Sequence, residues 1–181
     1  MGCMGKSSMS YDDYRREMSV KGTAYENYIY PIFAKEWSIP EFWVKPFEGR
    51  NEQIYVGENR LGVEIKYDEK SIKSSNLYIE IEEKSHPEKP KYQRSGIFRS
   101  DNTFLFIIGN YDIYYVFEID TIRELSEDYK TIEIARCTSK GFLLPKEQAR
   151  KSAINVSVLK EENEFEQLAF HWSIQPFPRQ I

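Results

Sequence analysis

Two runs of alternating apolar and charged residues constrain this chain most: Leu61-Gly62-Val63-Glu64-Ile65-Lys66-Tyr67-Asp68 and Leu77-Tyr78-Ile79-Glu80-Ile81-Glu82. A period of two sends successive side chains to opposite faces of a strand, so each run predicts a strand with one apolar and one charged face. Glu64, Lys66 and Asp68 then share a face, opposite Val63, Ile65 and Tyr67. Glu80, Glu82 and Lys84 share another, opposite Ile79 and Ile81. The polar link from Lys70 to Asn76 is short enough for a hairpin rather than a crossover. A hairpin would place four carboxylates and two lysines on one side of two neighbouring strands.

The rest of the pattern fits one α/β domain of α+β type, with a mixed, largely antiparallel central sheet flanked by helices. Residues 1–21 read as an N-terminal arm, helical in part from Tyr11 to Met18. Gly22 to Trp37 carries Tyr25, Ile29, Ile32, Phe33 and Glu36 near one helical face, and Pro31 predicts a kinked or two-part helix there. Further strands are expected at Ile54–Val56, Thr131–Cys137 and Asn155–Leu159. Phe104–Ile108 and Ile113–Phe117 should pair around Gly109-Asn110-Tyr111-Asp112. Short helices are expected at Thr121–Asp128 and, opened by Pro145, at Lys146–Ala153. The core spans residues 22–137, and 138–181 reads as a C-terminal extension ending in Pro176-Phe177-Pro178.

With 181 residues, 40% hydrophobic and 15% aromatic, the chain can bury a sizeable core without staples. Its two cysteines, Cys3 and Cys137, do not make a disulfide framework, and His86 and His171 do not make a closed zinc site. The opening MGCMGKSSMSYDD lacks the apolar stretch of a secretory signal, and no apolar run is long enough to span a membrane. Gly2-Cys3 misses the myristoylation pattern because Lys6 stands where Ser or Thr is needed. Gly5-Lys6-Ser7 has no strand or upstream glycine to make it a phosphate loop. The expected compartment is cytoplasmic, with no membrane partner.

Crowded carboxylates repel one another unless a cation stands among them. Carboxylate oxygens hold Mg²⁺ or Mn²⁺, and such a metal polarises a phosphoryl group and acidifies an attacking water. A neighbouring lysine can orient that water or stabilise charge developing on the phosphoryl oxygens. Glu64, Asp68, Glu80 and Glu82 are the candidate metal ligands, with Lys66 or Lys84 as the assisting amine. The plain structural alternative is a solvent-facing ladder of Glu–Lys pairs, each contributing about 0.2–1 kcal/mol.

In this respect the chain resembles the PD-(D/E)XK nuclease superfamily, which sets an acid on one core strand and an acid-x-Lys triplet on the next. Gly62-Val63-Glu64 or Asp68 matches the first part, and Ile81-Glu82-Glu83-Lys84 the second. Glu64-Ile65-Lys66 offers itself as the triplet too, with Glu52 or Glu58 as the upstream acid. Glu80-Ile81-Glu82 offers an acid-x-acid variant that leaves Lys66 as the amine. Many members carry a glutamate on the helix before the sheet, and Glu26 is similar to it. The resemblance implies a restriction-endonuclease-like core, a Mg²⁺ or Mn²⁺ cofactor and endonucleolytic hydrolysis of DNA. A homodimer would suit cleavage of both strands.

The net charge of −4 argues against a protein that coats nucleic acid. Between Lys84 and Arg99, however, five basic side chains face one acid, Glu88. Lys89, Lys91, Arg94 and Arg99 are thus the candidate contacts to a phosphate backbone. A competing function is a non-catalytic module, including an inactive nuclease fold, that binds protein or nucleic acid through Tyr92, Phe98, Tyr111, Tyr114 and Tyr115.

Overall fold

The computed structural model describes residues 9–49, 52–53, 56–134, 136 and 138–159. The chain opens on α1 (Tyr11–Glu36), which Ser10 caps by accepting the Asp13 N–H at 3.1 Å. Asp12 and Asp13 complement the positive end of the helix and Lys35 the negative end. Tyr25, Ile29 and Phe33 recur every fourth residue and are buried, whereas nothing from Tyr11 to Ala24 is. This stripe packs both sides of Pro31 against the core, so α1 is one continuous helix instead of two parts, and it takes in half of the expected arm. The one-turn α2 (Glu41–Val44) follows.

Among the described residues, eight strands form two four-stranded sheets. The first has the order β1 (Val63–Tyr67), β4 (Leu105–Gly109), β5 (Ile113–Glu118), β8 (Asn155–Val158). Its β1–β4 pair is parallel and the rest antiparallel. The second, antiparallel throughout, has the order β3 (Gln93–Arg94), β2 (Asn76–Glu83), β7 (Ser139–Pro145), β6 (Ile132–Ile134). Helices α3 (Ile119–Leu125) and α4 (Lys146–Ser152), the latter entered through Pro145, complete an α+β fold. The expected strand pair around Gly109–Asp112 is β4–β5. The expected single central sheet is two sheets, and β7 and β8 of the C-terminal portion lie within them rather than appended. Ile54, Tyr55, Cys137 and the C-terminal aromatic segment lie outside the described residues.

Two cores result. Tyr25, Ile29 and Phe33 of α1 meet Val63, Ile65, Leu105 and Ile107 on one face of the first sheet. Phe106, Ile108, Tyr115 and Phe117 on its other face meet Leu77, Ile79, Phe142 and Leu144 of the second. β4, covered on both sides, is accordingly apolar along its whole length. No described helix is long and apolar enough to cross a membrane.

The expected β1–β2 hairpin is not formed. The apolar face of β1 belongs to the helix-facing core and that of β2 to the core between the sheets, so the two strands cannot continue one surface. Asp68 makes the step between them. Its carboxylate accepts the Ser71 N–H at 3.2 Å, capping a 3₁₀ turn (Glu69–Ile72), and the Tyr78 N–H at 2.8 Å, fixing the start of β2.

Candidate functional site

A cleft of about 630 Å³ runs between the N-terminal half of α1, the outer edge of β1 and β2. Glu26, Lys66 and Glu80 line it, as do Glu58 and Glu83. Glu64 lies behind Lys66, only 1% exposed, while the Lys66 side chain is 37% exposed and reaches back to put Nζ 2.8 Å from Glu64 Oε1. The pair is in ionic contact but out of hydrogen-bond alignment, and neither Glu64 oxygen has a hydrogen-bond partner.

Electrostatics ties Glu26, Glu58 and Glu64 to this lysine. Burial alone would lower the Lys66 pKa, but the carboxylates of Glu64, Glu58 and Glu26 outweigh it and hold the ammonium above its ordinary value. Burial pushes the Glu26 carboxyl up from its usual range, and Lys66 only partly offsets that. Arg99 closes the group from behind. Its Nη1 lies 2.8 Å from Glu58 Oε1 and its Nε donates to Asp101, while Nη2, also buried, has no hydrogen-bond partner. Burial would lower the guanidinium pKa, yet Glu64, Asp101 and Glu58 keep it raised.

At the β2 wall Glu80 accepts the Ser95 hydroxyl at 2.8 Å and the Ser139 hydroxyl at 2.7 Å, and Ser139 also bonds the Tyr78 hydroxyl. Gly96 lets the chain approach here: its φ is +50°, and a Cβ on it would stand 2.3 Å from the Glu80 carbonyl oxygen. Glu80 and Glu82 do not share a face as strict alternation requires. The β2–β7 register slips between them, a bulge that turns Glu83 toward the cleft and leaves Glu82 on the surface, 3.5 Å from Lys140 Nζ.

The expected ligand set of Glu64, Asp68, Glu80 and Glu82 therefore does not converge. Asp68 is a buried cap, Glu80 is held by two serines, and Glu82, turned from the cleft by the bulge, pairs with Lys140. Lys84 is turned away as well, with Nζ 4.8 Å from the centroid of the Tyr92 ring. What the cleft does bring together is Glu26, Glu58 and the Glu64-Ile65-Lys66 triplet. Among the described residues, no three acidic, histidine or cysteine side chains are placed to enclose a metal ion by themselves.

The basic segment divides in two. Lys89, Lys91 and Arg94 are exposed, but Arg99 is half-buried and committed to Glu58 and Asp101. Tyr114 and Tyr115 are fully buried, which removes them from any binding surface; Tyr111 is exposed. The place of Glu83 in the cleft escaped sequence reading because a bulge leaves no periodic trace.

No protein-family model, curated protein or solved structure matches this chain.

Proposed function

We propose that this chain is a metal-dependent nuclease acting on DNA, in the manner its PD-(D/E)XK resemblance implies, with Glu26, Glu58, Glu64 and Lys66 as the working group. The carrying observation is Glu64, a buried carboxylate with no hydrogen-bond partner, compensated by a lysine two residues on that reaches the cleft opposite Glu26. An isolated buried carboxylate is costly, and here an ammonium stands where a cation is wanted. The donor chemistry fits Mg²⁺ or Mn²⁺. Magnesium is commonly held by one or two carboxylates, with water and substrate phosphate completing its shell, so a three-carboxylate cage is not needed. Glu64 with Glu26 or Glu58 would hold the ion, which would supply an acidified water and a polarised phosphoryl group.

The remaining work falls to side chains of this chain. Lys66, held protonated, is a poor base and serves as a hydrogen-bond donor to phosphoryl oxygens. Glu26, whose proton affinity is raised by burial, suits proton acceptance from the attacking water. Arg99 pins Glu58, and the exposed Lys89, Lys91 and Arg94 give the DNA backbone a path to the cleft.

The test is cleavage of single-stranded DNA, duplex DNA and RNA with Mg²⁺, Mn²⁺ or EDTA. Cleavage should require metal and should vanish in Glu64→Gln and Lys66→Met through kcat rather than KM. A purified, folded protein that binds DNA but cleaves none of the panel is an inactive relative of such enzymes. One that does neither ends the nuclease reading.

A further inference from the structure

Glu64 and Lys66 stand two positions apart on β1, an edge strand of the first sheet, and so project from the same face, about 6.7 Å apart along the strand. A lysine placed this way can extend into the cleft or fold back on its neighbour. Lys66 folds back: it lines the cleft, but its Nζ lies 2.8 Å from Glu64 Oε1. Glu64, behind it, is 1% exposed, so the way from the cleft to this carboxylate passes the ammonium.

The two cations that act on Glu64 are held differently. Arg99 is fixed by Glu58, 2.8 Å from its Nη1, and by Asp101. Among the described residues, Glu64 is the one carboxylate in ionic contact with Lys66, and Glu58 and Glu26 act on it from further away. The lysine makes no aligned hydrogen bond to Glu64 and is more than a third exposed. Rotation of its four-carbon stem therefore suffices to exchange Glu64 for water, and a partly exposed side chain does this quickly. Arg99 is the fixed charge of the group and Lys66 the removable one.

Charge turns that difference into competition. Counting Arg99 against Asp101 leaves Glu26, Glu58 and Glu64 around a single ammonium. Magnesium sits about 2.0–2.1 Å from the oxygens that hold it. An ion on Glu64 Oε1 and an ammonium in contact with the same atom would thus stand within about 5 Å of each other, where like charges repel strongly at a site that water barely reaches. The two cannot share Glu64 cheaply, and the tethered one has water to go to.

We propose that Lys66 is a tethered counter-ion that competes with Mg²⁺ or Mn²⁺ for Glu64, and so sets how tightly the chain takes the ion. The proposal rests on the reading of Glu64 as the ion's carboxylate in the function given above. It makes removal of a charged cleft side chain a gain in metal affinity, although the same removal is expected to end cleavage.

Titration calorimetry with Mn²⁺ alone, at neutral pH and without nucleic acid, tests it. Lys66→Met should bind Mn²⁺ about tenfold more tightly than the parent. Lys70→Met, which removes an ammonium from the same cleft but not from Glu64, should change the affinity by less than roughly threefold. In a Glu64→Gln background Lys66→Met should bring no gain. Melting curves check that each variant is folded. The parent supplies a measurement that needs no stable variant: in protein carrying ¹⁵N-lysine, the Nζ resonance of Lys66 should lose its protection from solvent exchange as Mg²⁺ saturates the site. Competition is refuted if folded Lys66→Met binds Mn²⁺ no better than the parent, if Lys70→Met gains as much, or if the gain survives without Glu64. It is also refuted if the Lys66 resonance is indifferent to Mg²⁺, or if neither parent nor Lys66→Met binds Mn²⁺. A parent that cleaves DNA with Mn²⁺ while its affinity ignores Lys66 loses only the competition. A gain in Lys66→Met beside a parent that cleaves nothing leaves the competition standing and overturns only the nuclease reading.

Discussion

Glu64 and Lys66 form an unequal ion pair: Nζ lies 2.8 Å from Oε1, yet the carboxylate is 1% exposed and the lysine more than a third exposed. The two partners therefore differ in what they stand to lose. Lys66 without Glu64 keeps water and the nearby carboxylates of Glu58 and Glu26. Glu64 without Lys66 is a buried charge with no ion pair of its own, supported only by the field of Arg99. Lys66→Met should accordingly destabilise the protein by roughly 1–3 kcal/mol, less than for a fully buried pair because solvent screens the lysine. Glu64→Gln should cost less. Urea denaturation of the two variants at neutral pH and low salt gives the order, and a greater loss for Glu64→Gln would mean that Lys66 depends on Glu64 rather than the reverse.

Glu26 carries the opposite sign. Burial raises its folded pKa above its unfolded value, so the folded state holds the Glu26 proton more tightly. Its contribution to stability is thus fully present below the unfolded pKa and is lost as pH rises through the folded one. Replacing it by a permanently neutral group removes that loss. Glu26→Gln should melt higher than the parent at pH 7, and the difference should close as pH falls below the ordinary carboxylate range. Thermal melts at pH 4 and pH 7 decide this; a variant less stable at pH 7 would make ionised Glu26 a net stabilising partner of Lys66.

The strands were legible in the sequence because alternation is local, and both runs that pointed to β1 and β2 are strands within a residue or two of their expected ends. Their pairing was not legible. A short polar link suggests a hairpin, but β1 pairs with residues forty-two positions away in β4, and β2 with β7, which alternation alone did not reveal. The bulge between Glu80 and Glu82 likewise changes which acids share a face without changing the residues around it. Glu26 and the Glu64-Ile65-Lys66 triplet were recognisable from local context. Their meeting with Glu58 and Arg99 depends on loops whose contacts are set only in three dimensions.

Asp68, expected as a metal ligand, is spent on the backbone. It accepts the N–H groups of Ser71 and Tyr78 and lies where the chain passes from the first sheet to the second. Asp68→Ala takes the carboxylate acceptor from the Tyr78 N–H, while the Ser71 N–H keeps the Asp68 carbonyl at 3.1 Å, and should cost about 1–3 kcal/mol, whereas Asp68→Asn, which keeps one acceptor oxygen, should cost less. Neither should change metal affinity in protein that is still folded. Titration with Mn²⁺ alongside denaturant melts separates the two effects, and a loss of Mn²⁺ binding at unchanged stability would restore Asp68 as a ligand.

The basic segment gives two outcomes from residues five positions apart. Lys89, Lys91 and Arg94 are exposed, so reversing their charges to Glu should leave the melting temperature within a degree or two. It should also weaken DNA binding evenly across sequences, and the dependence of log K on log salt should flatten as phosphate contacts are lost. Arg99 behaves differently because its guanidinium is committed to Glu58 and Asp101, and the side chain of Asp101 is itself only 1% exposed. Arg99→Ala strands that carboxylate without its cation, so this variant should lose stability by a few kcal/mol. Its salt slope for DNA should stay close to the parent's wherever it remains folded. Anisotropy titrations from low to moderate salt, read beside melting curves, compare the triple reversal with the single truncation. If Arg99→Ala flattens the slope while the triple reversal does not, the phosphate path runs through the interior of the cluster and not along the exposed strip.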